Sequence, residues 1–253
     1  MGKMAMEEYA SKYKVFFNFS STKNSVPGYL KIGFIPLVKK TYLTRCSLLG
    51  LMKFSLTAKK SLDLHEGKFT FGEFDGIIVT DSPRPEEMCA VIGSQNRDGS
   101  RIILFQDEDF FRWRYNNKRN KYIFYYHRKD NAITGYVVIG VTPNNLRGYI
   151  LDYSENDGKA LDSIFRYVIK MRHFDIFSIF NFGVNDVLLK ILKGLRFKTN
   201  SIVRKIERLI NGEWPLLIRP AKKGFVENDW FVENLDIRNV ESWEIKPICS
   251  DAV

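Results

Sequence analysis

The alternation of apolar and polar positions predicts short strands and helices that follow one another along most of the chain. The pattern is sharpest after residue 107, where it predicts a helix at 109–115, strands at 122–127, 135–141 and 148–153, a helix at 157–172, a strand at 174–180 and a helix at 185–193. The 157–172 helix is amphipathic, with one face formed by Leu161, Ile164, Phe165, Val168 and Ile169. A turn at 129–132 makes the first two of these strands a hairpin.

The flanking parts of the chain continue this order less regularly. The pattern there predicts helices at 1–13, 25–34, 48–64 and 85–96 and strands at 14–19, 34–45, 76–81, 203–209 and 214–219, with Lys39 and Lys40 exposed. We therefore predict an α/β (α+β) fold of mixed, mostly antiparallel twisted sheets flanked by helices. The clearest break in the pattern is SPRP at 82–85. The predicted segments are accordingly 1–81, 82–225 and a C-terminal tail at 226–253.

The order of a strand, an Asn-led short helix and a closing Phe occurs twice in the sequence. The two strands end at Phe19 and Phe180, which lie 161 residues apart, and an Asn follows each of them at the same distance. The closing residues, Phe34 and Phe197, lie 163 residues apart. This repeat predicts that the chain contains two copies of one module.

Composition adds a basic charge and disfavours several functional classes. The formal net charge of +10 favours anionic partners, although Lys and Arg are spread along the chain as solubility alone would require. Because they form no clustered basic stripe, nucleic acid is disfavoured as a partner. The three cysteines and three histidines are scattered, which argues against a metal site or a disulfide framework and fits the cytoplasm. No apolar run approaches the roughly 20 residues that span a bilayer.

The residues at 24–34, NSVPGYLKIGF, resemble the fourth motif of the GNAT N-acetyltransferases, in which an Asn precedes a helix that ends in Tyr-x-Lys-x-Gly-Phe. They are most similar to a bacterial subgroup that carries a second GNAT-like half. The WRY sequence at 113–115 is similar to one at the start of that second half. The resemblance covers most of the chain and implies two GNAT-like modules, the first of them incomplete.

The resemblance also implies a cofactor, acetyl-CoA or another acyl-CoA, and a site. The pantetheine arm would lie in a splay of the sheet, paired with exposed backbone as an added strand would be, beside Asn18, Phe19 and Asn24. Tyr29 would be the general acid that protonates the leaving thiolate after attack by a small amine, such as an amino sugar. The residues themselves allow other roles, since Tyr29 can be a core aromatic residue and Asn24 a helix N-cap.

The acceptor side is predicted at three residues farther along the chain. Trp113 and Arg114 can belong to a cationic aromatic wall over residues 112–115, or to an amphipathic helix with a half-buried Trp. Asp152 can be a general base for the amine or a turn residue at the end of a strand.

Two departures from the family pattern bear on activity. The pyrophosphate loop of the family presents backbone N–H groups at a helix N-terminus, and in the first copy it would precede residue 1, so we expect an N-terminally truncated module. In the second copy the corresponding residues, 154–160, read SENDGKA, in which Glu155 and Asp157 would repel a diphosphate. Leu192 stands at the position of Tyr29. We therefore expect the second module to be degenerate.

Three functional hypotheses follow. The first is an acyl-CoA-dependent N-acyltransferase, or an inactive fragment of one. The second is a non-catalytic module derived from the GNAT fold that binds a ligand or a partner. The third is a FemAB-like aminoacyltransferase, which would use charged tRNA, although the sequence has no coiled-coil arm of the kind those proteins carry.

Overall fold

The computed structural model describes residues 13–19, 21–57, 69–95, 99–103, 105–117, 120–142, 147–199, 201–211 and 214–246. The strands are β1 Val15–Asn18, β2 Ile35–Lys39, β3 Tyr42–Cys46, β4 Gly72–Phe74, β5 Ile77–Thr80, β6 Ile102–Ile103, β7 Lys121–Lys129, β8 Ala132–Val141, β9 Arg147–Glu155, β10 Ile176–Phe180, β11 Pro215–Pro220, β12 Phe231–Val232, β13 Leu235–Asp236 and β14 Trp243–Glu244. The α-helices are α1 Val26–Lys31, α2 Leu48–Thr57, α3 Pro85–Gly93, α4 Glu108–Tyr115, α5 Ala160–Lys170, α6 Asp186–Gly194 and α7 Ile202–Asn211. Short 3-10 helices lie at Glu227–Trp230 and Val240–Ser242.

The larger sheet has the strand order β3-β10-β9-β8-β7-β5-β4. Its neighbouring strands are antiparallel except for β9 and β10, which run parallel. The β7–β8 hairpin turns through Asp130 and Asn131, whose φ angles of 49° and 64° are the left-handed pair that a type I′ turn requires. The predicted fold class, with mixed and mostly antiparallel sheets flanked by helices, is confirmed.

Helices cover both faces of this sheet, because its central strands are apolar on both sides. On one face, α5 and α6 bury Phe165 and Leu192. On the other, α3 and α4 bury Met88 and Phe111. All four side chains are fully buried, so each contributes roughly 1.5–3 kcal/mol through removal of apolar surface from water.

A smaller sheet, in the order β1-β11-β2, combines strands from the two ends of the chain. β11 lies between β1 and β2 and is antiparallel to both. In the larger sheet, β3 lies in the same way between two parts of the second repeat, β10 and Lys198. The N–H and C=O of Lys198 both bond to the backbone of Thr44 in β3. Each strand–helix repeat is therefore completed by a strand from the other part of the chain.

Both repeats end in the same hydrogen-bonded turn. In each, the closing Phe donates its backbone N–H to the carbonyl oxygen five residues earlier, that of Tyr29 at 3.1 Å in the first repeat and of Leu192 at 3.0 Å in the second. This bond belongs to the Schellman motif, which needs a left-handed residue before the closing position. Gly33 at φ 89° and Arg196 at φ 66° supply that residue. The sequence repeat thus corresponds to a repeated local structure.

The residues after 226, which were predicted as a tail, contribute to a core at the junction of the two sheets. Trp230, Ile237, Trp243 and Ile245 are at most 7% exposed and pack together there. The indole of Trp243 lies 5.3 Å from the ring of Phe17 in β1 and donates its Nε1–H to the Ile237 carbonyl at 2.8 Å. The described part of this segment is therefore an integral part of the fold.

Two of the predicted strands are wrong. Residues 34–45 form β2 and β3, which lie in different sheets, because the chain leaves one sheet at Lys40 and enters the other at Tyr42. Residues 203–209 lie in α7, where Val203 and Ile206 recur at the spacing of a helix face, and this spacing outweighs their β-branched character.

Several predictions concern residues that the structure describes only in part. The predicted helix at 1–13 lies outside the described residues except for Tyr13, and the helix predicted at 48–64 is described as far as Thr57. The segment division at residue 81 stays a prediction. β3, β4 and β5 precede that position but share a sheet with strands that follow it.

Candidate functional site

The parallel strands β9 and β10 separate at their carboxyl ends. They pair only where residues 147–150 face 176–179, although β9 continues to Glu155. β9 has a bulge at the point of separation, because Leu151 is inserted between the residues that face Val138 and Ile139 of β8. From Leu151 onward, the edge of β9 is therefore not paired with β10 and lines a gap between the two strands, where an added extended segment can pair.

The loop between β9 and α5 turns its own carboxylates toward the backbone N–H groups at the start of the helix. Asp157 Oδ1 accepts hydrogen bonds from the N–H groups of Lys159 at 3.0 Å and Ala160 at 2.9 Å. Glu155 Oε2 accepts one from the N–H of Leu161 at 3.0 Å. An anion bound at a helix N-terminus would use these same donors. Because they are occupied by carboxylates, this loop does not fit a diphosphate.

The pKa values of the two carboxyl groups of this loop shift in opposite directions. Burial raises the pKa of Glu155 and outweighs the hydrogen bond from the Leu161 N–H. Burial also acts to raise the pKa of Asp157, but the N–H donors of Lys159 and Ala160 outweigh it and leave that pKa below its usual value. Asp157 is therefore negatively charged at neutral pH, which disfavours a phosphate at this position.

Asp152, the predicted general base, is fully buried where β9 leaves β10. Its Oδ1 accepts a hydrogen bond from the Tyr153 N–H at 2.8 Å and lies 3.0 Å from Lys246 Nζ. Its Oδ2 accepts hydrogen bonds from the Tyr136 hydroxyl and from Gln106 Nε2, each at 3.1 Å. A general base must reach the proton that it accepts, and both oxygens of this carboxylate are already engaged.

Trp113 and Arg114, which are consecutive residues of α4, differ sharply in exposure. Trp113 is 69% exposed and its ring lies 6.1 Å from that of Phe110, whereas Arg114 is only 4% exposed. The preceding Arg112 forms an exposed ion pair with Glu86. The proposed cationic aromatic wall is thus divided between the surface and the interior, as expected for an amphipathic helix.

Tyr29 differs from its counterpart in the second repeat. Its ring is half-buried and packs edge-on against Phe34, with centroids 5.1 Å apart. Its hydroxyl forms no hydrogen bond with the described residues. Leu192, the counterpart, is fully buried in the core of the larger sheet. The first repeat therefore keeps an available hydroxyl where the second has only a packing residue.

Asn24 is not the helix N-cap that the sequence allowed. Ser25 occupies that position before α1, and Asn24 lies exposed in the preceding turn. In the second repeat, Asn185 does cap its helix, because its side chain accepts a hydrogen bond from the Leu188 N–H at 2.8 Å. The side-chain amide of Asn24 is exposed, and no described residue bonds to it.

Asn18 and Phe19 lie at the carboxyl end of β1, and a residue that sequence analysis did not select meets them there. Asn18 faces Leu217 of β11, and the ring of Phe19 lies 4.7 Å from that of Phe17. The carbonyl oxygen of Phe19 accepts a hydrogen bond from Lys40 Nζ. Burial lowers the pKa of Lys40, so the prediction that this residue is exposed is wrong.

The predicted site residues form two separate groups. Asn18, Phe19, Asn24 and Tyr29 lie on β1, on α1 and in the turn between them, and β1 pairs with β11 on one edge and with no other described strand. Trp113, Arg114 and Asp152 belong to the larger sheet and its helices.

Sequence analysis missed the partners of Asp152. Tyr136 lies in a strand that the alternation predicted, but nothing in the pattern pointed to its hydroxyl. Lys246 lies 93 positions from Tyr153, to whose carbonyl oxygen it donates at 2.6 Å, and no local pattern links residues so far apart.

The described residues contain neither a cluster of possible metal ligands nor a membrane-spanning helix. Within the described ranges, His, Cys, Asp and Glu side chains form no group of three or more that could hold a metal ion. Among the described helices, none combines the length and the apolar character that crossing a bilayer requires.

Comparison with known proteins identifies the fold through solved structures. No family model and no curated protein match the sequence. Among solved structures, a GCN5-related N-acetyltransferase from Anabaena variabilis is similar with a TM-score of 0.50 and 10% identity. The match covers 87% of this chain and 49% of that one, so this chain spans about half the length of that protein.

Two further structures are similar at lower scores. One is a tandem GNAT protein from the clavulanic acid biosynthesis pathway, with a TM-score of 0.42, 12% identity and coverage of 83% of this chain and 64% of the other. The second is a GNAT-family acetyltransferase from Novosphingobium aromaticivorans, with a TM-score of 0.39, 11% identity and coverage of 74% and 66%. At such identities a likeness concerns the fold alone.

Proposed function

From the GNAT acetyltransferase fold of this chain, we infer that it is an acyl-CoA-dependent N-acyltransferase whose reaction takes place beside β1 and α1. The observation that carries this proposal is the difference between the two repeats at equivalent positions. Tyr29 has an available hydroxyl and Asn24 an available amide, whereas Leu192 and Asn185 serve packing and capping. Polar groups that the fold itself does not use are the ones expected to serve a ligand.

The residues of the first repeat fit a pantetheine arm. The arm contains two amide groups, and the edge of β1 away from β11 offers backbone N–H and C=O groups that no described strand uses. The Asn24 side chain offers two further N–H donors and one acceptor oxygen. The second repeat does not fit a cofactor, because the N–H donors of its loop are taken by Asp157 and Glu155.

Tyr29 is the residue that we assign to proton transfer. Bound acyl-CoA supplies a thioester, whose carbonyl carbon forms a bond to the amine nitrogen as its bond to sulfur breaks. The amine, which loses its ammonium proton to water beforehand, loses a second proton to solvent as the amide forms. The hydroxyl of Tyr29 donates a proton to the departing sulfur and regains one from water.

Replacing Tyr29 by Phe tests this role. We expect a kcat reduced by about 10²-fold or more, because general acid catalysis contributes on that scale, with little change in the KM for acetyl-CoA. The measurement is the release of free thiol from acetyl-CoA with a panel of primary amines. Tyr167→Phe is the matched control, since Tyr167 is also half-buried but lies on α5. An equal loss in both variants, or an active Tyr29→Phe protein, would contradict the assignment.

A non-catalytic binding module is the second candidate, and the occupied loop of the second repeat favours it. If neither repeat binds acyl-CoA, calorimetric titration with acetyl-CoA gives no heat, and no turnover is found with any amine. Turnover that disappears in Tyr29→Phe but not in Tyr167→Phe would exclude this candidate.

A further inference from the structure

The gap between β9 and β10 is bridged by the chain itself. Residues 244–246, which begin at the last residue of β14, lie between the loop that follows β10 and the unpaired part of β9. On one side their backbone lies against Gly183, where an added Cβ would be 2.9 Å from the Ile245 nitrogen and 3.2 Å from its carbonyl oxygen. On the other side, Lys246 reaches Asp152 and Tyr153.

Lys246 places its ammonium group among three kinds of partner. Nζ lies 3.0 Å from the Asp152 carboxylate, donates to the Tyr153 carbonyl oxygen at 2.6 Å and lies 5.2 Å from the centre of the Tyr153 ring. A carboxylate, a carbonyl oxygen and an aromatic ring are the groups that recognise a primary ammonium ion in a site away from water. The Lys246 side chain is only 10% exposed, so the ammonium is largely desolvated.

The surroundings of Asp152 are those of a built site rather than of a chance contact. Gln106 and Tyr136 fix its second oxygen. The neighbouring Tyr115 hydroxyl is buried and has no hydrogen-bond partner in the described structure. After burial itself, the charge of Asp152 is the largest contribution that raises the pKa of Tyr115. The cluster therefore contains a polar atom beyond those that Lys246 satisfies.

We propose that Asp152 and Tyr153 form a binding site for primary alkylammonium groups and that Lys246 is its resident ligand. Through this contact, the segment 244–246 closes the gap between β9 and β10. The Tyr153 N–H and C=O, which the separation of β10 leaves unpaired, are taken by Asp152 and Lys246 respectively. Withdrawal of the segment would open a site for the amino end of a small alkylamine. This proposal does not depend on acyl transfer.

Removal of Lys246 and replacement of its ammonium from solution tests the site. Lys246→Ala leaves a buried carboxylate unpaired, and we expect the Tm to fall by roughly 10 °C. n-Propylammonium contains the atoms that this substitution removes. It should raise the Tm of Lys246→Ala by roughly 3 to 6 °C at ten times its Kd. Tetramethylammonium, which has no N–H donor, should not do so at equal ionic strength.

The control variant is Lys222→Ala, which removes an exposed lysine paired with Asp229. Its Tm should change little and should not respond to n-propylammonium. The site is refuted if Lys246→Ala is as stable as the wild-type chain, or if both ammonium ions act equally on it.

A second variant covers the case in which Lys246→Ala does not fold. In Asp152→Asn combined with Lys246→Met, neither buried charge remains, and we expect a folded protein that does not respond to n-propylammonium. A double variant that is no more stable than Lys246→Ala, or one that n-propylammonium stabilises, would overturn the proposal. Because these readouts are stability and not turnover, their outcome is independent of the proposed acyl transfer.

Discussion

At the scale of single residues, His173 couples its ionisation to folding. Its Nδ1 lies 2.8 Å from the buried Tyr125 hydroxyl, and aromatic rings of Phe69 and Tyr167 pack against it. Burial lowers the pKa of His173. The unfolded chain therefore binds this proton more readily than the folded chain, so the stability is fully present above about pH 6.5 and is lost as the pH falls toward the lower folded pKa.

His173→Gln tests this coupling. We expect the decrease in the free energy of unfolding between about pH 7 and pH 5 to be smaller in this variant than in the wild-type chain, because Gln does not titrate. Urea unfolding at a series of pH values measures the difference. An equal decrease in both proteins, or an imidazole whose NMR titration midpoint is about 6.5 or higher, would contradict the assignment.

The site residues differ in how far the sequence could reveal them. Tyr29 and Asn24 belong to a contiguous motif, so a resemblance was enough to select them. The environment of Asp152 was not predictable, because its partners Gln106, Tyr136 and Lys246 come from a loop, a neighbouring strand and the C-terminal segment. The local sequence pattern carries no information on such contacts. The positive charge of Lys39 and Lys40 likewise did not indicate that Lys40 is half-buried while Lys39 is exposed.

At the scale of elements, the closing turn of each repeat requires one residue with a left-handed backbone conformation. Gly33 has φ 89°, and a Cβ there would lie 3.0 Å from two atoms of the Phe225 ring. Arg196 has the same left-handed conformation at φ 66°, which is unfavourable for a residue with a side chain. Burial lowers the pKa of Arg45, and the nearby positive charge of Arg196 lowers it further.

Opposite effects are therefore expected from two substitutions at equivalent positions. Gly33→Ala should destabilise the protein by about 1–3 kcal/mol, because it adds backbone strain and a close contact. Arg196→Gly should be neutral or stabilise the protein by up to about 1 kcal/mol. Chemical denaturation of both variants measures the difference. A stable Gly33→Ala protein, or an Arg196→Gly protein destabilised as much as Gly33→Ala, would show that the two turns are not equivalent.

Elements with strong periodicity were predictable, and elements defined by their sheet partners were not. The strands at 122–127 and 135–141 and the helix at 157–172 have a clear period and are present as β7, β8 and α5. The division of 34–45 between two sheets has no sequence signature, since both halves are equally suited to a strand. The β-branched residues at 203–209 favour a strand by composition, but the spacing of their apolar positions is that of a helix.

At the scale of the whole molecule, the exchange of β3 and β11 ties the two sheets together. The strand that precedes β3 in the chain is β2 of the smaller sheet, and the strand that precedes β11 is β10 of the larger sheet. Phe180 of the larger sheet shares a core with Leu216 and Ile218 of the smaller one. Neither sheet can lose its exchanged strand without disrupting the other. The sequence repeat predicted two copies of a module but not this exchange, because strand pairing across the chain is not encoded locally.

A single unfolding transition should result from this exchange. Trp230 and Trp243 belong to the shared core, so the fluorescence of a variant in which Trp113 and Trp214 are replaced by Phe reports on that core. Far-UV circular dichroism reports on all the secondary structure. We expect thermal or urea unfolding followed by the two signals to give the same midpoint within error. Two resolved transitions would indicate that the sheets unfold independently.

Hydrogen exchange with and without acetyl-CoA tests whether acyl-CoA binds beside β1 and α1. We expect added protection at 15–19 and 22–31, which contain β1, Asn24 and Tyr29. We expect no change at 151–155 or at 243–246, where the side chain of Lys246 already bonds to the Tyr153 carbonyl oxygen of β9. Protection confined to the β9–β10 gap, or absent from the whole chain at a saturating concentration, would contradict it.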